Sequence, residues 1–153
     1  MDKITAILEG LDLTKLVPQM DRLMGILLTA ARVAVLAGPI VMVVLGVWYL
    51  FLPPKEANHR AGFRTYFGMG SVEAWLFTQK LAGIAIGGAG LVLGVIMAIV
   101  SAGYGDMDMR AVSESAIRCL IWQAAVALVV YLGVSITAAI LFDAKGNRRR
   151  TKK

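Results

Sequence analysis

Charged residues disappear from the sequence three times, over residues 33–52, 81–104 and 119–142. A hydrocarbon core of about 30 Å needs about 20 apolar residues at the helical rise, so each gap is long enough to cross a bilayer. Lipid offers no partner for backbone N–H and C=O groups, and each stretch is therefore read as an α-helix. Pro39, directly after Gly38, is expected to kink the first of them.

Ahead of these stretches the pattern changes. Apolar Ile4, Ile7, Leu8, Leu11, Leu16, Val17, Met20 and Leu23 recur at helical spacing, with Asp2, Lys3, Glu9, Asp12, Lys15 and Asp21 between them. Such a pattern predicts a helix lying in the headgroup plane, broken by Pro18 before the first span. The chain thus reads as an all-α integral membrane protein: three transmembrane helices preceded by an amphipathic interfacial helix. Its expected divisions are an N-terminal helix over 1–22, a three-helix membrane domain over 23–142 with a connecting loop over 53–80, and a basic tail over 143–153.

Composition agrees, with 58% hydrophobic residues, 17% charged residues and a mean hydropathy of +0.72. The one cysteine, Cys119, cannot close an internal disulfide, and His59 is the one histidine, so neither zinc nor redox chemistry is expected. No cofactor is implied. Acids at positions 2, 9 and 12 do not suit a cleaved secretory signal.

Charge sets the expected orientation. The tail KGNRRRTKK carries six basic residues, the 53–80 loop four, and the 105–118 segment only Arg110 and Arg118 beside Asp106, Asp108 and Glu114. The positive-inside rule then places the tail and the 53–80 loop in the cytoplasm, with the N-terminus and the 105–118 loop outside. Lacking interleaved aromatics, the basic tail is read as an address facing anionic lipid, not as a contact for nucleic acid. Arg32, at the mouth of the first span, is expected to snorkel to lipid phosphates.

Within the second span Gly83, Gly87, Gly90, Gly94, Ala98 and Ser101 recur at steps of four and three. They line one helix face, a seam that permits close backbone approach, either to the first or third span of the same chain or, less favoured, to a second copy in a homo-oligomer. Trp48, Tyr49, Trp75, Tyr104 and Trp122 fall near span ends and are read as interfacial anchors. Gln123, Ser135 and Thr137 are read as interhelical or back-bonding groups.

The 53–80 loop holds the most chemistry. Pro53 and Pro54 end the first helix, and Gly62, Gly68 and Gly70 keep the following chain irregular. Ser71 is the expected N-cap of a helix beginning near Val72, with Glu73 complementing its positive end and with Trp75 and the Lys80 stem reaching the interface. Asn58, Gly62, Arg64, Thr65, Ser71, Glu73, Trp75, Lys80 and Gly83 follow one another in a pattern that resembles the signature of the SdpI family of bacterial membrane immunity proteins. The resemblance implies a multi-pass protein of the bacterial plasma membrane that protects its cell from a secreted toxic peptide and, in the prototype, holds a transcriptional repressor at the membrane. Tyr66 departs from the proline usual after Arg-Thr, and the prototype carries additional spans before the signature. Arg64 is expected to pair with Glu73, or with the terminal carbonyls of the first helix, folding the loop onto the bundle.

The alternative reading is a small accessory subunit of a larger membrane complex, packed through the glycine face of the second span. Catalysis is not expected, because Asp106, Asp108 and Glu114 come without a nucleophile and base or a ligand set.

Overall fold

A computed structural model describes residues 13–57 and 61–149, with side chains from Gln19 onward. Three helices account for most of it: α1 (Leu13–Phe51), α2 (Val72–Ala102) and α3 (Met109–Leu141), with a 3-10 turn at Gly103–Asp106 between the last two. All three are long and apolar enough to cross a membrane. The outward faces carry the large apolar side chains, among them Val44, Leu91, Ile99 and Val129, as expected of a surface solvated by lipid.

Two boundaries differ from expectation. Residues 1–12 lie outside the described residues, and from Leu13 the chain is already in α1, which runs through Pro18 instead of stopping there. Pro18 stands in the second turn, where a proline forgoes the bond to the carbonyl four residues back and crowds that carbonyl, yet the helix continues through it. The third helix begins at Met109, ten residues before the charge-free stretch, so the acidic 105–118 loop is largely helical. Asp108 is its N-cap, accepting from the Ala111 N–H at 3.3 Å. Arg110 and Glu114 pair one turn apart on its exposed face at 3.0 Å, a modest helix-supporting contact.

Gly83, Gly87 and Gly90 of α2 lie against α1. A side chain added at Gly46 would meet the Gly87 backbone N at 2.6 Å and the Gly83 carbonyl at 2.9 Å, and one added at Gly90 would meet Met42 Cβ and the Val43 N–H at 2.8 and 2.9 Å. Backbone thus touches backbone, and dispersion over that contact holds the pair where lipid supplies no hydrophobic incentive. Gly94 is looser, 3.7 Å from Pro39 Cβ by the same measure.

The third helix joins through one buried polar contact. Pro39 has no N–H to give the Val35 carbonyl, and the Gln123 side-chain amide of α3 donates to that carbonyl at 2.8 Å. Gly38 leaves the room that the Gln123 carboxamide occupies. Around this contact Val35, Met42, Leu93, Met97, Tyr104, Val112 and Cys119 form the larger apolar core. Ser135 and Thr137 return their hydroxyls to the carbonyls of Tyr131 and Gly133 on their own helix.

Gly46→Val, which drives methyl groups into the Gly87 backbone, is expected to lower stability by about 1–3 kcal/mol. Gly88→Ala, one residue beyond Gly87 where an added Cβ meets nothing within 4 Å, should be neutral or gain up to ~1 kcal/mol in helix propensity. Thermal unfolding in detergent reads both; equal losses at the two positions would exclude the backbone contact as their cause.

Candidate functional site

The buried residues at the start of α2, Ala74, Trp75, Thr78, Gln79 and Ala82, repeat at helical spacing and form one face, over which residues 52–57 and 61–71 of the connection fold. Leu52 adds a last bond to the Trp48 carbonyl at 2.8 Å, after which Pro53 and Pro54 end the helix. The freed Pro54 carbonyl then accepts from the Trp75 indole N–H at 2.7 Å. Trp75 is wholly buried, so the interfacial anchor expected from its position is instead a post beneath the loop.

Gly62 crosses directly over that indole. Its φ of 107° lies in the left-handed region, and an added Cβ would sit 2.6 Å from the Trp75 ring. The next residue is clasped on both sides: Phe63 N–H donates to Gln79 Oε1, and Gln79 Nε2 donates to the Phe63 carbonyl, each at 2.8 Å. Gln79 is fully buried and its amide replaces the partner strand that this peptide lacks. The Phe63 ring bridges the helices, edge-on to Tyr49 of α1 at 6.3 Å and tilted against Tyr131 of α3 at 5.4 Å. Beyond it Thr65 closes a turn, its hydroxyl accepting from the Gly68 N–H at 3.0 Å and its carbonyl from the Met69 N–H at 3.1 Å.

Ser71 caps α2 with extended backbone, φ −153° and ψ 164°, accepting from the Ala74 N–H at 3.1 Å. The same hydroxyl donates to the Gly146 carbonyl at 2.7 Å. That second partner belongs to the chain after α3, which is a folded turn rather than a plain basic tail over its first residues. Asp143 accepts from the Lys145 and Asn147 N–H groups at 2.9 and 2.8 Å, Phe142 and Arg148 form a bridge, and Arg149 N–H returns to the Leu141 carbonyl at 2.8 Å. Gly146, at φ 76°, lays its backbone against that of Gly70 and Ser71, where neither glycine has room for a side chain. Phe142 is buried beside Phe77, ring centroids 5.5 Å apart. The hydrogen bonds from Asn147, the backbone one foremost, hold the Asp143 carboxyl below the ordinary aspartate range.

At the opposite end Arg32 does not simply reach for lipid phosphate. Its Nε donates to the Ser101 carbonyl at 3.2 Å, placing a cation at the negative C-terminus of α2. Ser101 itself is buried and returns its hydroxyl to Ala98 at 3.2 Å.

The family model for the SdpI/YfhL protein family matches residues 55–142, from the loop through the end of α3. The chain belongs to the SdpI/YfhL protein family. No curated protein and no solved structure matches it. The SdpI/YfhL region takes in the loop, α2 and α3, and ends at Phe142, where the Asp143 turn begins.

Of the residues singled out from sequence, Gly62, Thr65, Ser71 and Trp75 meet in the loop's interior. Asn58 lies outside the described residues. Arg64, Glu73 and Lys80 are exposed, and among the described residues the contact that fastens the loop at Phe63 is the Gln79 carboxamide, with no Arg64–Glu73 ion pair at it. A neutral amide does that work without burying an ion. Tyr66 stands 76% exposed on the outside of the Thr65 turn, edge-on to Phe67, so the turn accepts it in place of proline. Tyr104, another expected anchor, is fully buried, whereas Trp48 and Trp122 are exposed on the outer faces. Sequence reading missed Phe63, Gln79, Asp143 and Gly146. Gln79, polar and one turn after Trp75 beside an uncharged run, was the available signal, as was the Asp-Ala-Lys-Gly-Asn turn pattern at 143–147.

Gln79→Leu strands both polar groups of Phe63 and is expected to cost about 2–5 kcal/mol, with the 61–70 loop becoming cleavable by added protease. An uncleaved loop with unchanged thermal stability would contradict the clasp. Because the folded pKa of Asp143 lies below the 3.8 of an ordinary aspartate, its contribution to the turn is complete at neutral pH and is lost as pH falls below 3.8 through the folded pKa. Amide exchange at Asn147, corrected for its intrinsic rate, should therefore lose protection in acid. Asp143→Asn should flatten that dependence; an identical acid profile in the variant would assign it elsewhere.

Proposed function

We propose that this SdpI/YfhL membrane protein acts without catalysis, presenting the closed loop end of its bundle to a protein partner, and that this recognition underlies immunity against a secreted toxic peptide, signalling to a cytoplasmic partner, or both. The observation that carries the reading is the double fastening of the loop. Gln79 and Trp75 hold it from below and the Asp143 turn holds its end through Ser71, so exposed Arg64 and Tyr66 project from fixed backbone. A pre-ordered surface loses little entropy on binding. Lys55, Arg64, Lys80, Lys145, Arg148 and Arg149 gather on the segments that meet at this end, which supports a cytoplasmic loop and tail in the bacterial plasma membrane with the N-terminus outside.

The alternative, an accessory subunit packed through the glycine face of α2, meets a seam already occupied: Gly83, Gly87 and Gly90 lie against α1. A larger complex would have to use other surfaces.

Gentle detergent capture from cells expressing the chain, followed by mass spectrometry and by survival under the toxic peptide, tests the proposal. The double variant Arg64→Ala, Tyr66→Ala should keep wild-type membrane abundance while losing the captured partner and most of the protection. Unchanged capture and survival, or stoichiometric recovery of integral-membrane subunits with no protection by the wild type, would overturn it.

A further inference from the structure

A second surface lies on the opposite half of the molecule, away from the loop. Between α2 and α3 a groove of about 530 Å³ opens to the outer face, walled by Leu93, Met97 and Val100 on one side and by Ser115, Arg118 and Trp122 on the other. Its polarity is graded. Ser115 and Arg118 stand just before the charge-free stretch of α3, and the walls beyond them are apolar down to Leu93 and Val126. From Arg118 to Val126 the groove descends about 12 Å into the hydrocarbon at the helical rise of about 1.5 Å per residue.

Arg118 stands exposed at the groove's mouth with no hydrogen bond or ion pair among the described residues, and Glu114, the acid one turn before it, is engaged by Arg110 at 3.0 Å.

We propose that this groove binds one anionic phospholipid, its phosphate held by the Arg118 guanidinium and the Ser115 hydroxyl and one acyl chain lying along Val100, Met97 and Leu93. A guanidinium at the interface matches phosphate in charge and geometry, and the apolar channel beneath it matches a chain. Neither half of the site suffices alone: a free phosphate leaves the channel unused, and a zwitterionic lipid brings its own cation to the arginine.

Native mass spectrometry of the protein released from nanodiscs of phosphatidylcholine with a minority of phosphatidylglycerol tests this. The wild type should retain one phosphatidylglycerol in preference to phosphatidylcholine. Arg118→Gln should lower that retention roughly tenfold, the loss of one charge-assisted hydrogen-bonded contact, and Val100→Trp, which fills the channel, should abolish it. The double variant Arg110→Gln, Glu114→Gln, which removes that ion pair as a unit, should retain the lipid. Equal retention of the two lipids by the wild type would overturn the proposal, as would a loss in the double variant as large as that of Arg118→Gln, or displacement of the lipid by inorganic phosphate. Should a variant fail to fold, the wild-type comparison of the two lipids decides alone.

Discussion

The Gln79 carboxamide meets both polar groups of Phe63 in a fully buried setting, and the loop end of the molecule depends on that contact. A connection that leaves one membrane helix and re-enters by another must turn its backbone over an apolar surface, where an unpaired N–H or C=O costs about 1–3 kcal/mol. One side chain offering a donor and an acceptor removes two such penalties at once. With Phe63 fixed, Gly62 can pass over the Trp75 ring, the indole N–H can take the Pro54 carbonyl, and Thr65 can close its turn.

The same obligation explains contacts elsewhere in the bundle. Pro39 leaves the Val35 carbonyl without its helical donor, and Gln123 of α3 supplies one. At the end of α2 the Gly103 N–H returns to the Val100 and Ser101 carbonyls, and Arg32 adds a charged donor at Ser101. The residue after α3 begins a turn whose N–H groups are gathered by Asp143, and that turn in turn occupies the Ser71 hydroxyl. Polar side chains in this SdpI/YfhL protein are thus spent largely on its own backbone, while van der Waals contact at Gly46, Gly83, Gly87 and Gly90 sets the distance between α1 and α2.

The three helices able to cross a membrane were legible because hydrocarbon excludes charge, a constraint written residue by residue. Ser71 was legible as a cap because its chemistry is local, acting on an N–H three residues away. The clasp was not, since Phe63 and Gln79 are separated by 16 positions and nothing in a glutamine names its partner. Arg32 and Ser101 are 69 positions apart, and Val35 and Gln123 88, so only packing of the helices reveals them. Trp75 was misread for a related reason: its distance from the span suited an interfacial ring, but the returning loop covers it. The early start of α3 comes from Asp108, a local cap that in sequence reads only as one of the acids of the 105–118 loop.

Hydrogen exchange of the loop amides, resolved residue by residue in detergent or nanodiscs, measures the clasp most directly. Phe63 N–H and the Gln79 side-chain N–H should exchange far more slowly than the amides of exposed Arg64 and Tyr66, at rates approaching those of the α2 interior. Phe63 exchanging as fast as those neighbours would mean that the loop is held by something other than Gln79.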